Sequence, residues 1–346
     1  MRRTILWLLL GAILISQFAA CGRSGEGQQM PTEPEAWRTY FLSKADSVTV
    51  EDGTVTFLDG TGEARTLPTG LGNVAILYAS FTTLWYEAGG AVSGCLGGDA
   101  AVELYREQIG RDITDDEGVQ ILADSAQAKR WDMERILSAH PDVVICSTAM
   151  SGYATLEAPA RAAGIPVVVV DYDDFADYLK WFKVFCHLTG HPELWESVAL
   201  AALDEVVACL TACPVDQTPQ VLSLFTGADS LKVNTSATVL GGMLRVLGAL
   251  NVMDCLGGTD AQHAVLNLEA VLAADPDMIL IQCHTGEQTA RELVERLYGS
   301  DPVWQSLRAV REGRVYYLEK TLFHNKPNRR FADAYAALAA CLYPTG

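Results

Sequence analysis

The sequence predicts an α/β protein of two similar lobes with parallel sheets, joined by one long helix. Three observations carry this. Residues 133–146, MERILSAHPDVVIC, return in altered form as LEAVLAADPDMILI at 268–281, an offset of 135 residues. Glu134/Glu269, Leu137/Leu272, Ala139/Ala274, Pro141/Pro276 and Asp142/Asp277 coincide at that offset. Each copy reads as an amphipathic helix, a Pro that stops it, and a short wholly apolar strand, which suits a sheet covered on both faces. Between the copies, His191–Ala212 is rich in Ala, Leu and Glu and is followed by Pro214. A helix of that length spans roughly 33 Å, the width of a small domain, so it can run from one lobe to the other.

The other elements follow in order. Ser47–Val50 and Thr54–Leu58 alternate and are joined by Glu51-Asp52-Gly53, a hairpin signal. Val74–Ala79 reads as the first buried strand, and Thr82–Ala88 as a short helix ended by Gly89-Gly90. After the first repeat copy come a helix near Ala154–Ala163, closed by Gly164, and the strand Val167–Asp171. Phe175–Leu188 is a helix ended by Gly190. The second lobe opens after Pro219 with the strand Val221–Phe225 and continues with a helix near Ala237–Leu250. Past the second copy lie a helix near Thr289–Tyr298, the strand Val315–Leu318 and a closing helix, Phe331–Leu342. The expected organisation is a leader at 1–20, a tether at 21–45, an N-lobe with its hairpin at 46–174, a helical linker at 175–218 and a C-lobe at 219–346.

The N-terminus decides the compartment. Arg2 and Arg3 precede an apolar run from Ile5 to Phe18, and Phe18-Ala19-Ala20 leads into Cys21. The run is short for a membrane span and reads as a signal peptide. Small residues before a Cys resemble the lipobox of bacterial lipoproteins, which implies cleavage before Cys21 and a lipid on its thiol. Residues 22–35 are polar and rich in Gly and Pro, as in a flexible tether. The remaining body of about 310 residues is enough for two ordinary domains. Loss of Arg2 and Arg3 takes the formal charge from −18 to −20, which argues against nucleic acid as a partner.

Eight further cysteines remain, Cys95, Cys146, Cys186, Cys209, Cys213, Cys255, Cys283 and Cys341, most in apolar settings that read as buried thiols. Their even count allows disulfides, whose pairing sequence does not give. Cys209 and Cys213 stand four apart on a predicted helix, a weak metal signal. There is no G-x-S-x-G, no H-E-x-x-H, no phosphate loop and no dinucleotide fingerprint. Of the six histidines only His187 and His191 are at metal-ligand spacing, and they flank a helix end.

Position on the sheet is the better guide, because ligands of open parallel sheets lie beyond the carboxyl ends of the strands. The N-lobe candidates are Ser80, Phe81, Ala149–Tyr153 and Tyr172–Phe175. The C-lobe candidates are Thr226-Gly227, Lys232–Ser236 with Asn234 and Ser236, His284-Thr285, and Phe323–Arg330. The set is aromatic and polar with a basic cluster, Lys326, Arg329 and Arg330, and suits a large organic ligand with anionic groups. The competing roles are ordinary ones: Ser236 as a helix cap, Arg329 and Arg330 as surface charges, Tyr153 and Tyr172 as packing.

NVAILYASFTTLWYEAGG (73–90), DMERILSAHPDVVI (132–145), AGIPVVVVDY (163–172), SDPVWQSLRAVREGRVYYL (300–318) and KPNRRFADAYAALAACLYP (326–344) carry a family likeness. The chain resembles the solute-binding lipoproteins of bacterial ABC importers, in the class that carries ferric siderophores, haem and cobalamin. The resemblance covers about residues 46–344. It implies two Rossmann-like lobes joined by one long helix, small closure on binding, and docking onto a membrane permease. In the family an acid on each lobe meets the permease. On the N-lobe, VELYREQIG makes Glu103 or Glu107 the candidates. The matching C-lobe helix, TVLGGMLRVLGALNV, has Gly242 near that place and Arg245 close by. Residues 111–130 also depart from the common pattern.

The foremost expectation is reversible, non-catalytic capture of a ferric siderophore, with no cofactor and no resident metal. Phe81, Trp85, Tyr153, Tyr172 and Phe323 would supply the walls, and Lys326, Arg329 and Arg330 would meet anionic groups. The alternative is haem or a corrinoid, with His284 or His324 as axial ligand. A bare divalent metal needs three or four converging donors, and only His263, His284 and His324, all in one lobe, qualify. An enzyme with paired Rossmann-like lobes is the rival from another class. The expected partners are the permease and ATPase subunits of an importer. A monomer anchored by lipid to the outer face of the cytoplasmic membrane is expected.

Overall fold

The computed structural model describes residues 30–126, 131–256 and 261–344. The expected signal peptide and Cys21 lie outside the described residues. Among the described residues no helix is long and apolar enough to cross a membrane.

The first helix among the described residues is Pro34–Leu42, where a tether was expected. Trp37, Tyr40 and Phe41 fall at helical spacing and put one apolar stripe against the body. Phe41 meets Phe175 edge-on, with ring centroids 5.1 Å apart. The Gly- and Pro-rich composition just upstream hides this short helix in the sequence. Three antiparallel strands follow: β1 (Thr49–Glu51), β2 (Thr54–Leu58) and β3 (Ala64–Pro68). Asp52 and Gly53 both have positive φ, 48° and 72°, as a two-residue hairpin turn demands.

The N-lobe sheet runs β6-β5-β4-β7-β8 and is wholly parallel. Its strands are β4 (Val74–Ile76), β5 (Gly94–Leu96), β6 (Gln120–Ala123), β7 (Val143–Cys146) and β8 (Val167–Val169). Strands β4, β7 and β8 are buried throughout, which matches their unbroken apolar runs. The sequence gives little sign of β5. It begins at Gly94, where a Cβ would meet Leu122 of β6 at 2.7 Å.

The C-lobe sheet runs β12-β10-β9-β13-β14, with β11 beside β9. Its strands are β9 (Gln220–Thr226), β10 (Leu231–Asn234), β11 (Leu250–Asn251), β12 (His263–Val265), β13 (Met278–Gln282) and β14 (Val315–Leu318). Here the expected parallel sheet is mixed: β10 is antiparallel to both β9 and β12. Residues 227–230 are all that join β9 to β10, too few for a parallel crossover. Residues on β13 alternate between two cores. Met278 and Leu280 face the large core shared with the N-lobe and linker. Ile279 and Ile281 face an outer core with Leu222, Leu224 and Trp304.

The repeat is one of conformation as well as sequence. The strands β7 and β13 hold the same place in their sheets. His140 and Asp275, again 135 apart, both leave their helices left-handed, at φ 43° and 44°. Asp142 accepts from the Asn73 amide at 3.0 Å, and Asp277 from the Gln220 amide at 2.8 Å. In each lobe the Asp after the Pro thus pins the start of the neighbouring strand.

The linker is two helices. Phe175–Thr189 starts at a capping box between Asp174 and Asp177 and ends at left-handed Gly190. The expected second helix is present but irregular. A π-helical stretch, Trp195–Leu200, precedes the α-helix Ala201–Ala212. The closing helix, Phe331–Leu342, packs along it.

Candidate functional site

The N-lobe wall is built by the start of the helix Ala79–Glu87 and the segment after β8. Phe81 meets Tyr78 at 4.4 Å with the rings tilted by 36°, and lies parallel to Tyr172 at 6.3 Å between centroids. The segment 326–330 of the C-lobe is docked against this wall. Asn328 is 2 % exposed and holds positive φ, 51°. Its side chain donates to Thr83 Oγ1 (3.1 Å), Gln108 Oε1 (3.2 Å) and the Ser80 carbonyl (3.5 Å), and accepts from the Tyr172 hydroxyl (3.2 Å).

Lys326 sits over the Tyr172 ring, its ammonium 4.9 Å from the centroid, and donates to the Tyr172 carbonyl. Burial pushes its pKa down, against the pull of Asp173, 3.8 Å away. Its charge is therefore spent within the protein. Arg330 is held by Asp333 at 3.0 Å and Thr321 at 3.2 Å. Of the expected basic cluster Arg329 is exposed and the Arg330 side chain is 41 % exposed, whereas Lys326 is enclosed.

Other expected residues fall in packed surroundings. Trp85 is fully buried, donates to the Ala91 carbonyl at 2.9 Å and meets Phe185 edge-on. Tyr153 is half-buried in the turn after β7. Asn234 is fully buried and donates to Ser223 (3.0 Å) and Gln282 (2.9 Å), tying β10 to β9 and β13. Ser236 bonds Asp254 at 2.5 Å, and the helix after it is capped by Thr238 instead. Phe323 is buried and its carbonyl accepts from Gln282. Of the docking candidates, Glu103 bridges to Lys320 of the C-lobe at 2.7 Å. Burial, and then Glu103 itself, push the Glu107 pKa up.

The C-lobe wall is different in kind. Four half-buried rings gather at the ends of its strands: Phe225 near the end of β9, His263 at the start of β12, His284 just past β13, and His324 after the helix Lys320–Phe323. Phe225 lies 4.9 Å from His263, 5.8 Å from His284 and 5.9 Å from His324, centroid to centroid. His284 Nδ1 is 3.0 Å from His324 Nε2. His263 Nδ1 is buried with no hydrogen-bond partner among the described residues. Burial lowers all three pKa values, aided by Lys232 at His263 and Lys320 at His284. For His324, burial, His284 and Lys320 take it down to about 4. All three imidazoles are neutral at pH 7 and keep a nitrogen lone pair, the form that binds a transition metal. Among the described residues no three His, Cys, Asp or Glu side chains converge on one metal position. Phe225 was not singled out in the sequence, where it reads only as the last apolar residue of a strand.

Phe81 and Tyr172, expected as ligand walls, are 2 % and 3 % exposed and lie under the docked segment 326–330. The class is therefore set by the frame of two similar lobes joined by helices, that of a solute-binding protein. The profile of the family described as periplasmic binding protein matches residues 74–322, and the chain belongs to that family. The high-affinity heme uptake system protein IsdE of Staphylococcus aureus is 28% identical over 105 residues, 30% of this chain and 35% of that protein. The match thus spans about a third of the length of these relatives. Among solved structures, S. aureus IsdE complexed with heme is similar at a TM-score of 0.62 and 18% identity, covering 79% of this chain and 99% of that one. The apo heme-binding protein RhuT of Roseiflexus sp. RS-1 is similar at 0.58 and 23% identity, covering 79% and 98%. The vitamin B12 binding protein BtuF of Vibrio cholerae is similar at 0.62 and 17% identity, covering 80% and 98%. At these identities the likeness establishes the fold.

Proposed function

We propose that this protein is the extracytoplasmic solute-binding component of an ABC importer and that its cargo is a metal chelate, haem before a ferric siderophore. The observation that carries the haem reading is the contact between His284 and His324 beside Phe225. A ring nitrogen bonded to a second imidazole is held in one tautomer and one orientation, which is how metal-ligating histidines are prepared. If His284 Nδ1 donates to His324 Nε2, the His284 Nε2 lone pair is free for iron. His284 is the less enclosed of the two, so it is the axial ligand in this reading and His324 orients it. Phe225 and His263 offer flat faces for a macrocycle.

The siderophore reading leaned on Lys326, Arg329 and Arg330, and two of those three are engaged within the protein. Named function among the relatives leans the same way, since IsdE and RhuT are named for heme. Lipidation at Cys21, a position on the outer face of the cytoplasmic membrane, a monomeric state, and permease contact through Glu103 or Glu107 belong to the same proposal.

The test is a titration of the full chain in lipid nanodiscs with haemin, cobalamin and a ferric siderophore, with empty nanodiscs as blank. Saturable binding of haemin at one equivalent is expected. Saturation by the siderophore alone would return the cargo to that class, and saturation by none would remove the chelate-carrier reading.

A further inference from the structure

The C-terminal end of the interlobe helix carries a pair of thiols that no step of solute binding uses. Cys209 lies within the helix Ala201–Ala212, and Cys213 is the residue that leaves it, at φ −73° and ψ 143°. The φ is still helical, so the Cys213 side chain tilts back over the preceding turn, as helical side chains do. Its sulfur is 3.3 Å from the Cys209 carbonyl oxygen. Both residues are half-buried, against the fully buried Cys95, Cys146, Cys186 and Cys283. Reagents in water can therefore reach this pair and not those four.

Four helical steps place the two Cα atoms about 6 Å apart, inside the range that a disulfide spans. The Cβ atoms of such a pair stand about 5–6 Å apart, wider than the roughly 3.5–4.5 Å of a relaxed disulfide. The last turn is already tightened, because the Cys213 amide donates to Leu210 three residues back, at 3.2 Å. Pro214 follows and cannot extend the helix. The end of the helix is thus free to close the remaining gap at the cost of some strain.

We propose that Cys209 and Cys213 form a strained, readily reduced intrachain disulfide, a redox-modified site at the junction of the linker with the C-lobe. In closing, each thiol gives up its proton and the pair gives up two electrons. A thiol–disulfide oxidant of the extracytoplasmic compartment takes up both and is reduced to a dithiol. One of the two thiolates attacks the oxidant's disulfide, forming a mixed disulfide and expelling one oxidant thiolate. The other then attacks the protein sulfur of that mixed disulfide, closing Cys209–Cys213 and expelling the second oxidant thiolate, and the strain makes the product easily reversed. Tyr343, close to Cys213, donates to the Leu247 carbonyl at 2.6 Å, so the bond forms where the closing segment anchors to the C-lobe.

The test uses the native full chain, reduced and then treated with diamide, a diazene that accepts the two electrons and two protons and becomes a hydrazine. After quenching and denaturation, free thiols are alkylated and located by peptide mass spectrometry. The expected result is a chain lighter by two hydrogens, with Cys209 and Cys213 alone protected and both released by mild dithiothreitol. In Cys209→Ser, Cys213 should become alkylated, and Cys341→Ser should leave the protection intact. Full alkylation of both cysteines after diamide, or loss of protection in Cys341→Ser, would overturn the assignment.

Discussion

His284 Nδ1 and His324 Nε2 stand 3.0 Å apart, although the two residues are 40 positions apart in the chain. One nitrogen donates and the other accepts, so one imidazole orients the other. That division of labour separates the two residues in their consequences.

His324→Ala removes the orienting partner and keeps the proposed ligand. Haemin affinity should fall by about 10–100-fold, the usual cost of losing an outer partner of a metal-binding histidine. His324→Gln, which keeps a donor and an acceptor, should recover part of the loss. Absorbance titration measures both. Equal affinity in wild type and His324→Ala would remove His324 from the site.

Glu87 supplies a pH signature. Its carboxylate accepts from the Tyr178 hydroxyl at 2.9 Å and from the Arg329 amide, and burial lifts its pKa to about 7. The folded value is above the unfolded one, so the folded chain holds its proton more tightly. That stability is fully present below about pH 4.5 and is lost as pH rises through 7. Glu87→Gln should therefore raise the melting temperature at pH 8 by the equivalent of about 1–3 kcal/mol and change it little at pH 5. Thermal melts at the two pH values check this.

His324 acts in the opposite direction. Its folded pKa of about 4 lies below the unfolded value near 6.5. Its neutral form is favoured by folding, so stability is present above pH 6.5 and lost as pH falls through 4. Urea unfolding from pH 7 to pH 4 should show this loss in wild type and less of it in His324→Gln.

Asn328 joins the lobes. Asn328→Ala leaves the buried Tyr172 and Thr83 and the half-buried Gln108 without their partner and puts a Cβ-bearing aliphatic residue at φ 51°. A loss of about 2–4 kcal/mol is expected in urea unfolding. Asn328→Gly relieves the backbone term and should recover part of that. A neutral Asn328→Ala would show that the docked segment contributes nothing to stability.

The sequence reveals the fold where local pattern and global role agree. Pro141-Asp142 and Pro276-Asp277 mark the repeat, and the structure explains the pairing through the Asn73 and Gln220 amides. The antiparallel β10 is legible only in the length of the 227–230 loop. The helix at 34–42 is masked by its upstream composition. The site is less legible because its contacts are distant in the chain. His284 and His324 are visible as residues after strands, but their meeting around Phe225 depends on three segments. Lys326 reads as a free cation, and only the docking of 326–330 onto Tyr172 shows that its charge is used internally.

The most direct test of the central claim is the haemin absorbance spectrum of the full chain in nanodiscs, compared between wild type and His284→Ala. The account predicts a shifted Soret band saturating at one equivalent in wild type, and loss of that shifted band with weakened binding in His284→Ala. An identical Soret position and affinity in the two proteins would contradict it.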